Sequence, residues 1–100
     1  METEKRKISP YKLKKVAGIF GGLAHPSRLE ILEFLEDGAA RSVGEILAYM
    51  KIEPTLLSHH LATMKNIGIL QSTKEGRNKY YKLALPEVTD VLDCIQHCKL

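Results

Sequence analysis

Apolar residues recur at intervals of three and four along most of this chain, which predicts a mainly helical protein. The pattern is clearest from Glu53 to Lys65, where Leu57, Leu61 and Met64 form one stripe. Pro54 suits the first position of such a helix, because its missing N–H would have no partner there. The residues between the apolar ones are small or hydrogen-bonding, and none is acidic: Thr55, Ser58, His59, Ala62 and Thr63.

The same periodicity predicts helices before and after this stretch. They run from Pro10 to the stop signal Gly21-Gly22, from Pro26 to Asp37-Gly38, from Ser42 to Met50, and onward from Pro86. Ser42 and Glu45 have the spacing of a capping box. His25, just before Pro26, is interpreted as a helix-entry residue that bonds backbone rather than as a ligand. The first helix is apolar on more than one side, which indicates partial burial against a second chain.

Two short alternating segments predict a β-hairpin between the last two helices. Residues 69–73 and 79–83 form its strands, and the turn Lys74-Glu75-Gly76-Arg77-Asn78 gives it a basic tip. Two short helices joined by Lys51-Ile52-Glu53 form a helix-turn-helix, and a hairpin after it makes a winged helix. The predicted fold is thus mainly α with a small β-hairpin. Residues 10–100 form one winged helix-turn-helix domain, and residues 1–9 form a flexible tail.

Charge is distributed unevenly, although the net charge is only +3. Residues 1–15 hold six bases and two acids, and residues 65–82 hold five bases and one acid. The middle, residues 28–53, holds three bases and six acids. Two basic ends around an acidic middle indicate a face for a polyanion such as DNA, whose base edges and phosphates are rich in hydrogen-bond acceptors.

The remaining composition excludes several classes of protein. A hydrophobic content of 44% is ordinary for a globular domain, and no apolar run approaches the roughly 18 residues of a membrane span. The charged N-terminus is unlike a signal peptide, so a cytoplasmic protein is expected. No phosphate-binding glycine loop, HExxH motif or nucleophile elbow points to an enzyme. On an intact helix, Cys94 and Cys98 would remain thiols, because their Cβ atoms would lie about 5–6 Å apart.

At this point the chain resembles the ArsR/SmtB family of small bacterial and archaeal metal- and stress-sensing repressors. The matching segments are LAHPSRLEILEFL (23–35), SVGEI (42–46), LLSHHLATMKNIGIL (56–70) and EGRNKYYKL (75–83). The similarity covers about residues 11–100. One departure is the entrance to the recognition helix, where the family often has a serine cap and this chain has Glu53-Pro54. Glu53 is therefore expected to point away from DNA or into a local hydrogen bond.

The resemblance implies a homodimer, in which the first and last helices pair across a two-fold axis. The expected interface residues are Val16, Ile19, Phe20, Val88, Val91, Leu92 and Ile95. Two recognition helices would enter successive major grooves of a palindromic DNA operator. An inducer would shift the dimer geometry and release the DNA.

Within this scheme the predicted DNA contacts lie on the recognition helix and the wing. They are Thr55, Ser58, His59, His60, Lys65, Lys74, Arg77 and Lys79. Thr55, Ser58 and His59 would reach base edges or phosphates, Lys65 would meet phosphate, and Arg77 would reach the minor groove or backbone. His60 is turned partly toward the buried stripe, so a bond within the protein is an alternative for it. Tyr80 and Tyr81 are expected to pack the hairpin onto the core.

The site for an inducer is expected on the last helix. The third helix has no cysteine or histidine, so the thiolate site that some family members carry there is absent. On the last helix, Asp90, Cys94, His97 and Cys98 could bind zinc or a soft metal or metalloid ion. The family's ligand spacing is not reproduced, however, and cysteines on an apolar stripe usually pack. A thiol-oxidation sensor is equally open.

Two other hypotheses remain beside the DNA-binding regulator. One is a winged-helix module that docks on another protein and never touches DNA, and it would more often expose a large apolar patch. The other is a family member that lacks a metal site and responds to another signal.

Overall fold

Five α-helices and a three-stranded antiparallel sheet make up the computed structural model, which describes residues 6–100. The elements are α1 (Pro10–Leu23), α2 (Pro26–Phe34), β1 (Arg41–Ser42), α3 (Val43–Met50), α4 (Pro54–Asn66), β2 (Leu70–Glu75), β3 (Asn78–Leu83), a 3₁₀ turn (Pro86–Thr89) and α5 (Asp90–Gln96). The predicted winged helix-turn-helix is therefore confirmed. The predicted tail lies partly outside the described residues, since 1–5 are not described.

The core lies between the helices and one face of the sheet. Leu57, Leu61 and Met64 of α4 are at most 1% exposed, as their spacing predicted. They meet the fully buried side chains of α2, α3 and the segment leading into β2, which are Ile31, Leu32, Leu35, Ile46 and Ile69. Burial of this apolar surface stabilises the fold and fixes the back of α4, so the opposite side of α4 is left exposed.

The first two helices differ from their predicted ends. Helix α1 continues through Gly21 and Gly22 to Leu23. Gly22 is buried, and a Cβ there would collide with Cδ1 of Ile67, so this glycine permits close packing between α1 and the end of α4. Helix α2 ends earlier than predicted, at Phe34, and Gly38 then takes a left-handed conformation with φ +86°.

The sheet contains a strand that the sequence pattern did not predict. Strand β1 has two residues, which is too short for an alternating pattern, and it pairs Arg41 with Tyr81 of β3. Ser42 also accepts a hydrogen bond from the Glu45 N–H at 3.1 Å, while Glu45 accepts one from the Ser42 N–H, so the predicted capping box is confirmed. Strand β3 lies in the middle of the sheet, where it pairs with β1 on one side and with β2, its partner in the hairpin, on the other.

The last helix is shorter than predicted. Residues 86–89 form a 3₁₀ turn, in which the Thr89 hydroxyl donates to the Pro86 carbonyl at 2.9 Å, and α5 follows with seven residues. His97 is its C-cap, so Cys98 lies beyond the helix. No helix among residues 6–100 has the length and hydropathy needed to cross a membrane.

Candidate nucleic-acid interface

Helices α3 and α4 form the helix-turn-helix, with the three-residue turn that the sequence predicted. The turn begins at Lys51, which has a left-handed backbone with φ 55° and donates its N–H to the Leu47 carbonyl at 2.8 Å. This closes the end of α3 in the manner of an αL cap. Helices α3 and α4 both contribute to the core, and this packing together with the short turn fixes the angle between them.

Glu53 caps the entrance to α4. Its carboxylate accepts a hydrogen bond from the Leu56 N–H at 2.9 Å, so the local hydrogen bond expected for this residue is confirmed. A carboxylate at a helix N-terminus interacts favourably with the free N–H groups and the helix dipole. The carboxylate of Glu53, which stands where the family often has a serine cap, is thus held in a hydrogen bond with α4.

The side of α4 opposite the core contains no carboxylate. Thr55, Ser58 and His59 are exposed on it, beside exposed Ala62 and half-buried Thr63. We call the side chains of Thr55, Ser58, His59, Ala62 and Thr63 the α4 front. Lys65 is exposed in the last turn of the helix, where a cation is favourable to the helix dipole.

His60 does not lie on the α4 front. It is 1% exposed, and its Nδ1 accepts a hydrogen bond from Nε of Arg28 at 2.9 Å. Burial lowers the pKa of His60, and the charges of His25, Arg28 and His59 lower it further. The structure thus removes His60 from the DNA-contact set and favours the alternative, a bond within the protein. Arg28 was not predicted to matter, because nothing in the periodicity pairs residues 32 positions apart.

The wing is the β2–β3 hairpin with Gly76 and Arg77 at its tip. Strand β2 follows α4 closely, and the Ile69 N–H donates to the Met64 carbonyl at 3.0 Å. Tyr81 is 5% exposed and Tyr80 is half-buried, in line with their predicted packing. Lys74 and Lys79 lie directly opposite each other on the two strands, and both are exposed. Like charges in that position repel each other, so a bound anion would stabilise the wing.

The predicted inducer ligands are exposed around α5. Cys94 and Cys98 are free thiols on the surface and do not pack in the core of this chain. Nδ1 of His97 lies 2.8 Å from the Asp93 carbonyl oxygen, to which it donates. Within residues 6–100 no three His, Cys, Asp or Glu side chains come close enough to hold a metal ion. A single chain therefore does not assemble the predicted set of Asp90, Cys94, His97 and Cys98.

The predicted interface residues differ in their burial. Phe20 is 54% exposed and Ile95 is 43% exposed, whereas Val88 is 7% exposed and belongs to the core of its own chain. The others are half-buried: Val16, Ile19, Val91 and Leu92. Helices α1 and α5 thus leave large apolar side chains in solvent, while Val88 serves mainly to hold the 3₁₀ turn in place.

A helix-turn-helix followed by a β-hairpin wing defines a winged-helix domain of the kind found in transcription regulators. Residues 25–72 match the model of the arsR family of bacterial regulatory proteins. The HTH-type transcriptional regulator Rv0081 of Mycobacterium tuberculosis is 37% identical over 83 residues, which cover 82% of this chain and 70% of that protein. The chain belongs to the arsR family.

Solved structures agree with this assignment. HlyU of Vibrio cholerae superposes with a TM-score of 0.80 at 27% identity, covering 91% of this chain and all of that one. The V. cholerae protein is named a transcriptional activator. The homodimeric winged helix-turn-helix DNA-binding domain of Mb0332 from Mycobacterium bovis superposes with a TM-score of 0.74 at 26% identity, covering 95% of this chain and 87% of that one.

Proposed function

We propose that this protein is a homodimeric transcription regulator that binds a palindromic double-stranded DNA operator through α4 and the wing. The observation that carries the proposal is the α4 front, which exposes hydroxyl and imidazole groups and no carboxylate. Such groups fit the acceptors on base edges in the major groove. Thr55, Ser58 and His59 are the proposed groove contacts.

The basic residues around the α4 front supply the proposed phosphate contacts. Lys65 at the end of α4, and Lys74, Arg77 and Lys79 on the wing, are all exposed. None of them forms an ion pair with a carboxylate in the described part of the chain. Lys74 and Lys79 lie opposite each other on the wing, so phosphates beside them would reduce the repulsion between their charges.

The exposed apolar side chains of α1 and α5 support the homodimer. Phe20 and Ile95 would lose their contact with water at an interface of these two helices. A two-fold axis there would place two α4 helices on half-sites about 34–36 Å apart, one turn of DNA. The dimer would therefore read a palindrome.

A docking module that never binds DNA is less well supported. Large exposed apolar residues occur mainly on or beside α1 and at the C-terminal end, and Leu56 is the one on α4. Leu56 is a single large exposed apolar side chain and the α4 front is mainly polar, so α4 lacks the large apolar patch that protein partners usually bury.

Regulation is proposed to act by repression, with release of DNA when an inducer reaches α5. The exposed thiols of Cys94 and Cys98 are accessible to a metal, a metalloid or an oxidant. In a dimer the α5 helices of both protomers would be available, so a site incomplete in one chain could draw ligands from two.

A salt titration tests the DNA-binding proposal. The probe is a duplex that the wild-type protein selects from a random-sequence library, and affinity is measured by fluorescence anisotropy between 50 and 300 mM salt, about the range in which counterion release is large. Lys65→Ala and Arg77→Ala should each weaken binding on all sequences and reduce the salt slope by about one unit per lost contact.

Lys99→Ala is the matched control, because Lys99 is exposed and lies beyond α5, outside the proposed contacts. It should leave both affinity and salt slope unchanged. Selection of no duplex by the wild-type protein, or affinity that does not respond to salt, would contradict the proposed function.

A further inference from the structure

Arg28 connects three helices of the domain. It lies in α2, its Nε donates to Nδ1 of His60 in α4 at 2.9 Å, and its Nη1 donates to the Gly22 carbonyl in α1 at 3.1 Å. Within residues 6–100, no other hydrogen bond between two side chains joins distant parts of the chain. The only other one, Arg41 to Asp37, links residues four positions apart. Arg28 thus joins the ends of α1 and α2 to the middle of α4.

The buried environment of His60 leaves Arg28 as the single hydrogen-bond partner of its ring in the described part of the chain. His60 is 1% exposed, and the ring of His25 stands edge-on to it with the ring centroids 4.5 Å apart. Because Nδ1 accepts a hydrogen bond from Nε–H of Arg28, the imidazole is neutral and carries its own proton on Nε2. Nε2 is buried and has no hydrogen-bond partner in the described structure. The Arg28 hydrogen bond is therefore the one polar contact that orients this ring.

The position of α4 relative to α1 matters for DNA binding, because α1 carries residues proposed to meet the second protomer. Gly22 of α1 packs directly on Ile67 at the end of α4, so the two helices already touch at one point. The hydrogen bond at His60 is a second point of attachment, and together with the buried Leu57, Leu61 and Met64 it limits rotation of α4 about the first. The neighbouring residue, His59, belongs to the α4 front, so the same rotation would move the proposed groove contacts.

We propose that Arg28 and His60 are positioning residues for DNA binding, and that protonation of His60 releases α4 from α1 and α2. The inference rests on the proposed function, because its consequence is the placement of the α4 front on DNA. A protonated His60 would turn an N–H toward the Nε–H of Arg28, so the hydrogen bond is lost. Neither residue touches DNA in this scheme.

The charges around His60 determine the direction of the pH effect. Arg28 and His25 face it from α2 and its N-cap, His59 faces it from α4, and α1 contributes the Gly22 carbonyl through Arg28. Arg28, His25 and His59 are basic, so they oppose a positive charge on His60. Since the pKa of His60 in the fold is below its ordinary 6.5, the neutral form contributes stability above pH 6.5. That contribution is lost as the pH falls through the lowered pKa.

Three variants separate the hydrogen bond from the titration. His60→Leu and Arg28→Met remove the bond at any pH, whereas His60→Gln keeps an acceptor for Arg28 and cannot titrate. Arg41→Met is the control for loss of a half-buried arginine, because Arg41 pairs with Asp37 away from α4. Affinity for the selected duplex is measured by anisotropy at fixed salt from pH 7.5 to 5.5, and folding is followed by circular dichroism.

We expect His60→Leu and Arg28→Met to reduce to about a tenth the fraction of molecules in which α4 has the position that binds DNA. At pH 7.5 these variants should therefore bind about tenfold more weakly. Their double variant should be no weaker than either single one, because both remove the same bond. Arg41→Met and His60→Gln should bind like wild type. On acidification, wild type should lose more affinity than His60→Gln, because only the wild-type side chain at position 60 can be protonated.

The outcomes separate this inference from the proposed function. If the wild-type protein binds DNA and the folded Leu and Met variants bind as tightly, positioning by Arg28 and His60 is wrong. If those variants do not fold, the Gln variant decides, since an acid response equal to that of wild type overturns the inference. Failure of wild type to bind any duplex contradicts the proposed function itself, and the inference with it.

Discussion

Helices α4 and α5 both carry an apolar stripe in the sequence, but only one of the two stripes is buried. In α4 the residues Leu57, Leu61 and Met64 are at most 1% exposed. In α5 no residue is buried, and Ile95 in its last turn is 43% exposed. The two helices differ in length as well, with 13 residues in α4 and seven in α5.

The same apolar periodicity has a different structural role in each of the two helices. The α4 stripe faces helices and strands of its own chain, so the domain buries it without help. The α5 stripe has only part of that support, because Leu92 reaches the core while Ile95 does not. Large apolar side chains left in solvent on both α5 and α1, Ile95 and Phe20, are what a surface that pairs with a second protomer would look like. The same periodicity therefore predicts a core in one helix and an interface in the other.

The largest effect should come from a charge on the α5 stripe. Ile95→Glu would place a carboxylate in the proposed interface, and burying an unpaired charge is costly. The protein should become monomeric, and its DNA affinity should fall by about 100-fold or more, because two linked half-sites bind far more tightly than one. Sedimentation measures the mass of the protein, and anisotropy measures its affinity for the selected duplex.

Ile8→Glu is a matched control for this change. Ile8 is also 43% exposed, and it precedes α1 outside the predicted interface. That variant should stay dimeric. A monomeric wild-type protein, or an Ile95→Glu variant that remains a dimer, would show that the α5 stripe has another role.

The contrast also explains what could be predicted from sequence. The α4 stripe, the Glu53 cap and the basic wing tip depend on neighbours close in the chain, and they were predicted. Strand β1 and the Arg28–His60 bond depend on residues far apart in the chain, and neither was predicted. The break between the 3₁₀ turn and α5 is local, and the helical spacing did not indicate it. His60 is the instructive case, because the helical stripe indicated that it could bond within the protein but not that Arg28 would be its partner.

A smaller effect is expected on the α4 front, where one side chain changes and the dimer remains. Ser58→Ala removes a hydroxyl that is exposed next to His59. Affinity for the selected duplex should fall by about threefold to tenfold, since a single neutral hydrogen bond contributes about 0.5–1.5 kcal/mol net. The preferred base at one operator position should also change. Repeating the library selection with the variant measures the preference. An unchanged selected sequence would place Ser58 away from the bases.

The smallest effect should follow from removing the thiols of the α5 region. Cys94 and Cys98 are exposed and unpaired, so Cys94→Ser with Cys98→Ser should change the free energy of unfolding by no more than about 0.5 kcal/mol and leave DNA affinity intact. The informative measurement is release of DNA on addition of zinc, arsenite or an oxidant. Release that persists in the double variant removes the cysteines from the inducer response, whereas release that disappears assigns the response to α5. In the second case the two regions would have separate functions, because α4 would bind the DNA and the α5 region would control its release.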